Sequence, residues 1–402
     1  EVDGGGTEQS LLKPRDDADE GNDGRRRQDE SGERPEDGEP PGLYRVVKID
    51  HTDLIRRVRK AVLPVGLCRL PKHGRGMARV VVTRSNSHPV LVDRVRAALP
   101  DDFDVVPVEL PPGQMTIPPD GSLIAAAANA EALFCRPGLV TADLLDAGDL
   151  QIVAVHGSGT DHVDLAAATA RGVVVTHNPE AVAPGVVEYV AGAAVGVLRD
   201  WPGVPVRTAA GEWDKGGATL GEVGERTVGV LGLGEIGFRV ARLLANGFGA
   251  EVLGCDPAVT GATDHDIYPR HDRAELEAAG VELVGHDALF ERADLVTVHV
   301  PLSDATRGLV GEAELTALDG HLLNTARGPV VDEDALRRAL EDGSVHGAAL
   351  DVRAEEPPDG DDPIAAHPNT LVTPHVAGPT EGYLRRAADV GAAKVATCLA
   401  GD

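Results

Sequence analysis

The chain has 402 residues and a formal net charge of −27, from 65 acidic and 38 basic side chains. That length leaves room for two domains with sizeable cores, and the charge argues against nucleic acid as a partner for the body of the protein. No run approaches 18 consecutive apolar residues, so neither a membrane span nor a membrane partner is expected.

Residues 1–40 hold 14 acids, 6 bases and almost nothing to bury, and read as disordered. Residues 41–76 reverse the sign, with 9 bases against 2 acids. There Leu54, Ile55, Val58 and Val62 could form one face of a short basic helix. Met77 stands just before the first clear strand, Arg79–Thr83, and reads as the natural start. On that reading 1–76 is an extension foreign to the native product. From residue 77 strand and helix alternate. A helix is expected over Val90–Leu99, a strand over Ala132–Cys135, and a helix capped by Thr141. Then come a strand at Gln151–His156, a helix at Val163–Arg171 and a strand at Val173–Thr176. A long helix from Gly185 to Leu198 leads, through a loop holding Trp213, to the stretch with the most specific pattern.

That stretch is Thr227–Pro257, TVGVLGLGEIGFRVARLLANGFGAEVLGCDP. An apolar strand is followed by Gly232-x-Gly234-x-x-Gly237, a helix periodicity on Ile236, Val240, Leu243 and Leu244, a second strand, and Asp256. Strand, glycine turn, helix, strand and acid in this order mark a dinucleotide site. Gly232 permits the tight turn, Gly234 lets a pyrophosphate approach the backbone, and Gly237 lets helix and strand pack closely. The helix N-terminus presents free N–H groups to the phosphates. A carboxylate at Asp256 accepts from ribose hydroxyls and repels a 2′-phosphate, so the pattern favours NAD over NADP.

Thr260–Arg273 is polar and reads as a loop. Val281–Val284, Leu295–Val300, Leu322–Asn324, Ala348–Asp351 and Leu371–Thr373 read as strands, with helices at Ala288–Ala293 and Glu333–Leu340 between them. A helix over 380–400 could return to the first domain. Three strand ends then offer chemistry: Asn324-Thr325-Ala326-Arg327-Gly328, Asp351 with Glu356-Pro357, and Thr373-Pro374-His375. An enzyme moving hydride to or from a hydroxyl carbon needs an acid/base of near-neutral pKa. It also needs a carboxylate that favours the charged imidazole, and a guanidinium to grip a substrate carboxylate in two hydrogen bonds. Histidine, glutamate and arginine supply these.

In order, HGSGTDHVD (156–164), GVLGLGEIG (229–237), HVPL (299–302), NTARGPVVDE (324–333), ALDV with EEP (349–357) and TPHVAG (373–378) resemble the D-isomer-specific 2-hydroxyacid dehydrogenases. The resemblance runs from about 77 to 400. It implies an α/β fold of two Rossmann-like domains. A doubly wound parallel-sheet NAD domain, 184–375, is inserted into a smaller flavodoxin-like substrate domain, 77–183 with 376–402. It implies interconversion of a D-2-hydroxy acid and its 2-oxo acid. Arg327 binds and polarises the oxo acid, His375 is the general acid/base, and Glu356 pairs with His375. Ser158, Gly159 and Thr160 contact the substrate carboxylate. The expected NAD contacts are Gly232, Gly234, Glu235, Ile236, Gly237, Asp256, Val300, Pro301, Thr306, Thr325, Ala326, Asp351 and Gly378, with His299 on the adenine side. The resemblance also implies a homodimer and no metal. A different class on the same fold, an NAD(H)-sensing binding protein or corepressor, is the alternative.

This chain departs from the family in places. Ala181-Val182-Ala183 replaces the frequent Ala-Asn-Ala entry to the interdomain helix, which removes an amide near the cleft. Glu356 stands where formate-oxidising relatives carry Gln. Selectivity is expected in Arg84–His88 and Ser158–His162, where Arg84 either pairs with a phosphate or is a surface arginine. Lysine is scarce, six residues in all, and aromatics are 3%. With the acid excess this fits adaptation to high salt, where ions screen self-repulsion; a GC-rich genome is the alternative source. Cys68, Cys135, Cys255 and Cys398 are far apart without a CxxC, as for free thiols in a reducing cytoplasm.

Overall fold

A computed structural model describes residues 77–112, 117–213, 220–259, 271–358 and 360–400. The 1–76 extension, its basic helix and Cys68 lie outside the described residues, as does most of the expected loop 260–273. The first sheet holds β1 (Ala78–Arg84), β2 (Phe103–Glu109), β3 (Ala132–Cys135), β4 (Ile152–Val155) and β5 (Val174–Thr176). All pairs are parallel and the order is β2-β1-β3-β4-β5, the flavodoxin-like order. Helices α1 (Val92–Ala98), α2 (Gly121–Ala127), α3 (Ala142–Asp146) and α4 (Leu165–Arg171) connect the strands. Side-chain caps start three of them: Asp120 accepts from the Ser122 and Leu123 N–H groups, Thr141 from Leu144 N–H, and Asp164 from Ala167 N–H. Strands β3 and β4 are apolar and buried throughout because both faces are covered.

Helix α5 (Pro179–Leu198) and the short α6 (Gly203–Ala209) lead to the second sheet. It contains β6 (Thr227–Leu231), β7 (Glu251–Cys255), β8 (Val281–Leu283), β9 (Leu295–Val298), β10 (Gly320–Asn324), β11 (Val345–Leu350) and β12 (Thr370–Val372). The order is β12-β11-β10-β9-β6-β7-β8, again all parallel. Strand order therefore reverses between β6 and β9, where a doubly wound sheet opens its ligand crevice. Helices α7 (Glu235–Leu243), α8 (Arg273–Ala278), α9 (His286–Arg292), α10 (Glu312–Ala317) and α11 (Glu333–Asp342) cover its faces.

The last helix, α12 (Glu381–Ala400), returns to the first sheet, as its sequence position allowed. Its Ala388, Ala392, Val395, Cys398 and Leu399 join Val80, Val82, Phe134 and Ile152 in one core. Gly391 makes the approach possible, since a Cβ there would lie 2.0 Å from the Phe134 ring. Burying Val395 and Leu399 contributes about 1.5–3 kcal/mol each.

Three expectations need correction. The long helix starts at Pro179, not Gly185, and runs through Pro184. Proline removes a backbone donor and usually breaks a helix interior; here it lies in the second turn, and Arg386 on α12 donates twice to the nearby Ala181 carbonyl. Arg273 opens α8 rather than closing a loop, because Asp272 and Glu275 form a capping box. The elements β2, α2, α6 and α10 are additional to those expected. Helix α5 has the length and hydropathy of a membrane span, yet it is mostly buried in the core of this fold.

Candidate active site

The crevice at the β6/β9 reversal is shaped by glycine. Gly232 has φ +94, and a Cβ there would lie 2.8–2.9 Å from the His299 carbonyl and the Val300 nitrogen. A Gly237 Cβ would lie 1.9 Å from the Gly232 oxygen. Gly234, by contrast, has nothing within 4 Å of where its Cβ would stand, so a ligand can reach that backbone. It caps α7, whose first-turn N–H groups, at Glu235, Ile236 and Gly237, have no intrahelical acceptor. Glu235 pairs with Arg239. Asp256 follows β7, and its carboxylate accepts from Leu233 N–H at 2.8 Å and Ala258 N–H at 2.9 Å. One oxygen is used by each bond, so both keep a lone pair free for a ribose. Across the crevice, Val300 is half-buried, Pro301 is exposed, and Thr306 donates to the Pro301 carbonyl at 2.5 Å. His299 is bonded to Thr297 Oγ1 at 2.9 Å. The Thr325 hydroxyl is buried with no partner among the described residues, an orphan that a bound cofactor can satisfy. These residues fit a dinucleotide.

The ends of β10, β11 and β12 bring the chemical groups together. The His375 N–H donates to the Asp351 carbonyl at 2.7 Å, and His375 has φ +56, a costly conformation for a residue with a Cβ. Asp351 holds it there: its carboxylate accepts from Thr373 Oγ1 at 2.6 Å and from the Val376 and Ala377 N–H groups at 2.8 Å. Burial raises the Asp351 pKa, and these bonds offset part of the rise. The Thr373 hydroxyl is in turn 2.5 Å from Tyr189 on α5. His375 Nδ1 lies 2.9 Å from Glu356 Oε2. A carboxylate there selects the Nδ1–H tautomer and leaves Nε2 for a substrate. Burial pushes the Glu356 carboxyl up, but the His375 bond and charge, the Arg353 N–H and the Arg327 charge outweigh it and hold it below its ordinary value.

Arg327 follows β10. Asn324, fully buried, shapes its turn by donating to the Arg327 carbonyl and accepting from Ala326 N–H. The guanidinium donates through Nε at 3.1 Å and Nη2 at 2.8 Å to one oxygen of Asp161, and through Nη1 to the Ala326 carbonyl. Burial raises Asp161, and the Arg327 charge and hydrogen bonds more than reverse this, leaving its pKa low. The Ser158–Thr160 loop lies against Arg327: a Cβ on Gly159 would stand 1.5 Å from Nη2. Gly378 packs on Val182, its Cβ position 3.2 Å from Val182 Cγ1. Val182 is thereby buried rather than open to the cleft.

The first sheet reverses its order between β1 and β3, and residues after both strands gather there. Thr83 Oγ1 donates to the Pro137 carbonyl and accepts from Arg136 N–H. Arg136 is buried over the Tyr383 ring and donates to the Pro89 carbonyl. Ser85 accepts from His88 N–H. Burial, then the charges of Arg136 and His375 against that of Glu356, lower the His88 pKa to about 4. Arg84 pairs with Glu109 at 2.9 Å in the open, so it is a surface arginine. Asp161, Asn324, Tyr189, Arg136 and Arg353 were not singled out from sequence; only Asp161 and Asn324 lie within motifs that could have flagged them. No cluster of metal-ligating side chains occurs among the described residues.

Residues 191–377 match the family model described as D-isomer specific 2-hydroxyacid dehydrogenase, NAD binding domain. The chain is similar to the glyoxylate reductase of Thermofilum pendens, 34% identical over 280 residues, covering 68% of this chain and 79% of that one. It is also 34% identical, over 279 residues, to the D-3-phosphoglycerate dehydrogenase of Methanocaldococcus jannaschii, covering 68% of this chain. There it spans about half of the relative's length, 51%. Among solved structures, D-lactate dehydrogenase from Aquifex aeolicus, complexed with NAD and lactic acid, aligns with a TM-score of 0.67 and 26% identity over 80% of this chain and 96% of that one. The NADPH-dependent glyoxylate/hydroxypyruvate reductase of Sinorhizobium meliloti aligns with a TM-score of 0.62 and 31% identity over 79% and 92%.

Proposed function

The chain belongs to the D-isomer-specific 2-hydroxyacid dehydrogenase family, with an NAD-binding domain, and from that premise we propose that it interconverts a small D-2-hydroxy acid and its 2-oxo acid. The observation that carries this reading is the Glu356–His375 pair, built from residues that follow β11 and β12. His375 is held by Glu356 on one nitrogen, with Arg327 close enough for its charge to act on Glu356.

When bound, NAD(H) supplies or accepts the hydride. The glycine turn at 232–237, with Glu235 and Ile236, would hold its pyrophosphate, and Asp256 its ribose. Val300, Pro301 and Thr306 would line the adenine side, with Thr325, Ala326, Asp351 and Gly378 toward the nicotinamide. In reduction, His375, charged and steadied by Glu356, gives its Nε2 proton to the substrate's carbonyl oxygen; in oxidation it takes that proton back. Three of the five guanidinium N–H groups of Arg327 are engaged by Asp161 and Ala326. Two remain to bind and polarise the oxo acid, with Ser158, Gly159 and Thr160 against its carboxylate.

The division we propose is a substrate domain of 77–183 with 376–402 around an NAD domain of 184–375. A second copy of the chain is the proposed partner. Trp201, Val206, Trp213 and Leu220 are large apolar side chains left exposed, which supports such a partner. The buried thiols Cys135 and Cys255 support a reducing, cytoplasmic setting, and the acid excess supports activity in high salt.

The test is NADH oxidation by the full chain, in low and in multimolar salt, with glyoxylate, hydroxypyruvate, 3-phosphohydroxypyruvate, pyruvate and bulkier 2-oxo acids. Turnover of one, lost in His375→Ala while NADH still binds, is the expected result. NADH binding without turnover of any would refute the enzyme reading and favour an NAD(H) sensor.

A further inference from the structure

Arg353 is buried in the loop after β11, only 7% of its side chain exposed, and it meets two carboxylates. Its Nε and Nη2 donate to the two oxygens of Glu333, at 2.9 and 3.0 Å. Its Nη1 and Nη2 also reach Asp362, itself 8% exposed. Glu333 further accepts from Ala354 N–H at 2.7 Å, and Asp362 from Ile364 N–H at 3.0 Å. The three charged groups belong to three chain segments. Glu333 opens α11, just after the Arg327 turn. Arg353 begins the loop that carries Glu356. Asp362 lies beyond Glu356, on the way to β12 and His375.

Two backbone contacts connect this clasp to the catalytic groups. The Arg353 N–H donates to Glu356 Oε1 at 3.1 Å, so one carboxylate oxygen is pinned by residue 353 while the other faces His375. Gly328, next to Arg327, lies so close to the Arg353 carbonyl that a Cβ would stand 1.9 Å from its carbon. A shift of residue 353 therefore moves Glu356 and disturbs the Arg327 turn. Burying three charges is a poor source of stability, because desolvation offsets their attraction and an apolar cluster of similar volume often does as well. What the arrangement supplies is direction: a planar fork meets two carboxylates in one geometry.

We propose that Arg353 is a positioning residue for this active site, its side chain locking the Arg327 turn to the Glu356–His375 pair through Glu333 and Asp362. The proposal rests on the reading of Arg327, Glu356 and His375 as the reacting groups. Lysine cannot satisfy both carboxylates, so Arg353→Lys lowers kcat for oxo-acid reduction about ten- to hundredfold, the effect of an ångström-scale misplacement. Its NADH Kd stays within about twofold of the wild type, since no group of the clasp bonds to the glycine turn or to Asp256. A neutral variant, Arg353→Met with Glu333→Gln and Asp362→Asn, removes the buried charge imbalance that could unfold a single mutant; it should fold and show the same kcat deficit. The second readout is the His375 Nδ1 nitrogen resonance, expected at the protonated-tautomer position that Glu356 selects in the wild type and shifted in both variants. It needs no turnover, so it decides the clasp even if the wild type reduces none of the acids. Wild-type kcat with an unmoved resonance in either folded variant would overturn the proposal, as would equal losses of kcat and NADH affinity.

Discussion

Gly159→Ala separates the geometry of Arg327 from the stability of the fold. The added methyl would stand 1.5 Å from Nη2 and 2.7 Å from Cζ of Arg327, and 2.6 Å from Asp161 Oδ1. Ordinary contact needs about 3.5 Å, so the guanidinium must retreat by about 2 Å. Gly159 is not at positive φ, so alanine brings no backbone strain. What yields is the end of a flexible side chain and a partly exposed ion pair with Asp161, which limits the stability loss to about 1 kcal/mol. The chemistry is less forgiving: an ångström of misplacement costs about a hundredfold, or about 2.7 kcal/mol of transition-state stabilisation. The expected result is a kcat/KM for the preferred oxo acid at least a hundredfold lower by NADH oxidation. The thermal midpoint should fall by no more than a few degrees and NADH affinity should hold. A kcat/KM within threefold of the wild type would show that Arg327, as placed against Gly159, does not bind the substrate.

Other variants test other parts. Gly234→Ala places its methyl in open space and should fold normally while raising the NADH Kd at least tenfold by fluorescence titration. Gly232→Ala faces both a positive φ and backbone at 2.8 Å, so it should lose about 1–3 kcal/mol of stability in denaturant melts as well as NADH binding. His88 has a folded pKa near 4 against 6.5 unfolded, so the unfolded chain takes up its proton first as pH falls. Stability is therefore lost between pH 6.5 and 4, by about 1 kcal/mol once half exposure is discounted. His88→Gln should flatten that part of the pH–stability curve. The Glu356 pKa is lowered, so its contribution is full above the ordinary carboxylate range and is lost as pH falls through the lowered value. Glu356→Gln should remove that acid slope and reduce kcat about ten- to hundredfold.

What the sequence showed depended on how local the cause was. Strands β1, β3 and β6 are short apolar runs, and the glycine fingerprint is held within about thirty residues, so both could be read directly. Strand β2 carries Pro107 and exposed Glu109 because it is an edge strand, bonded only to β1, and its pattern is correspondingly weak. Pro184 reads as a helix boundary, yet the helix begins five residues earlier at Pro179, itself suited to a first helical position. The triad residues sit in recognisable motifs, but the Asp161–Arg327 pair joins positions 166 apart. The Asp272 and Glu275 capping box, in contrast, was local and could have been read.

The return of α12 bears on how this protein is made. The first sheet begins at residue 78, yet the face formed by Val80, Val82, Phe134 and Ile152 is closed by residues 388–399. On a ribosome these emerge only after the whole second sheet. The nucleotide sheet can fold as it leaves the exit tunnel, while the first sheet waits with one apolar face uncovered. A chain truncated after residue 380 should therefore bind NADH through its second sheet while its first sheet stays sensitive to protease. Restoring residues 381–400 should abolish that sensitivity.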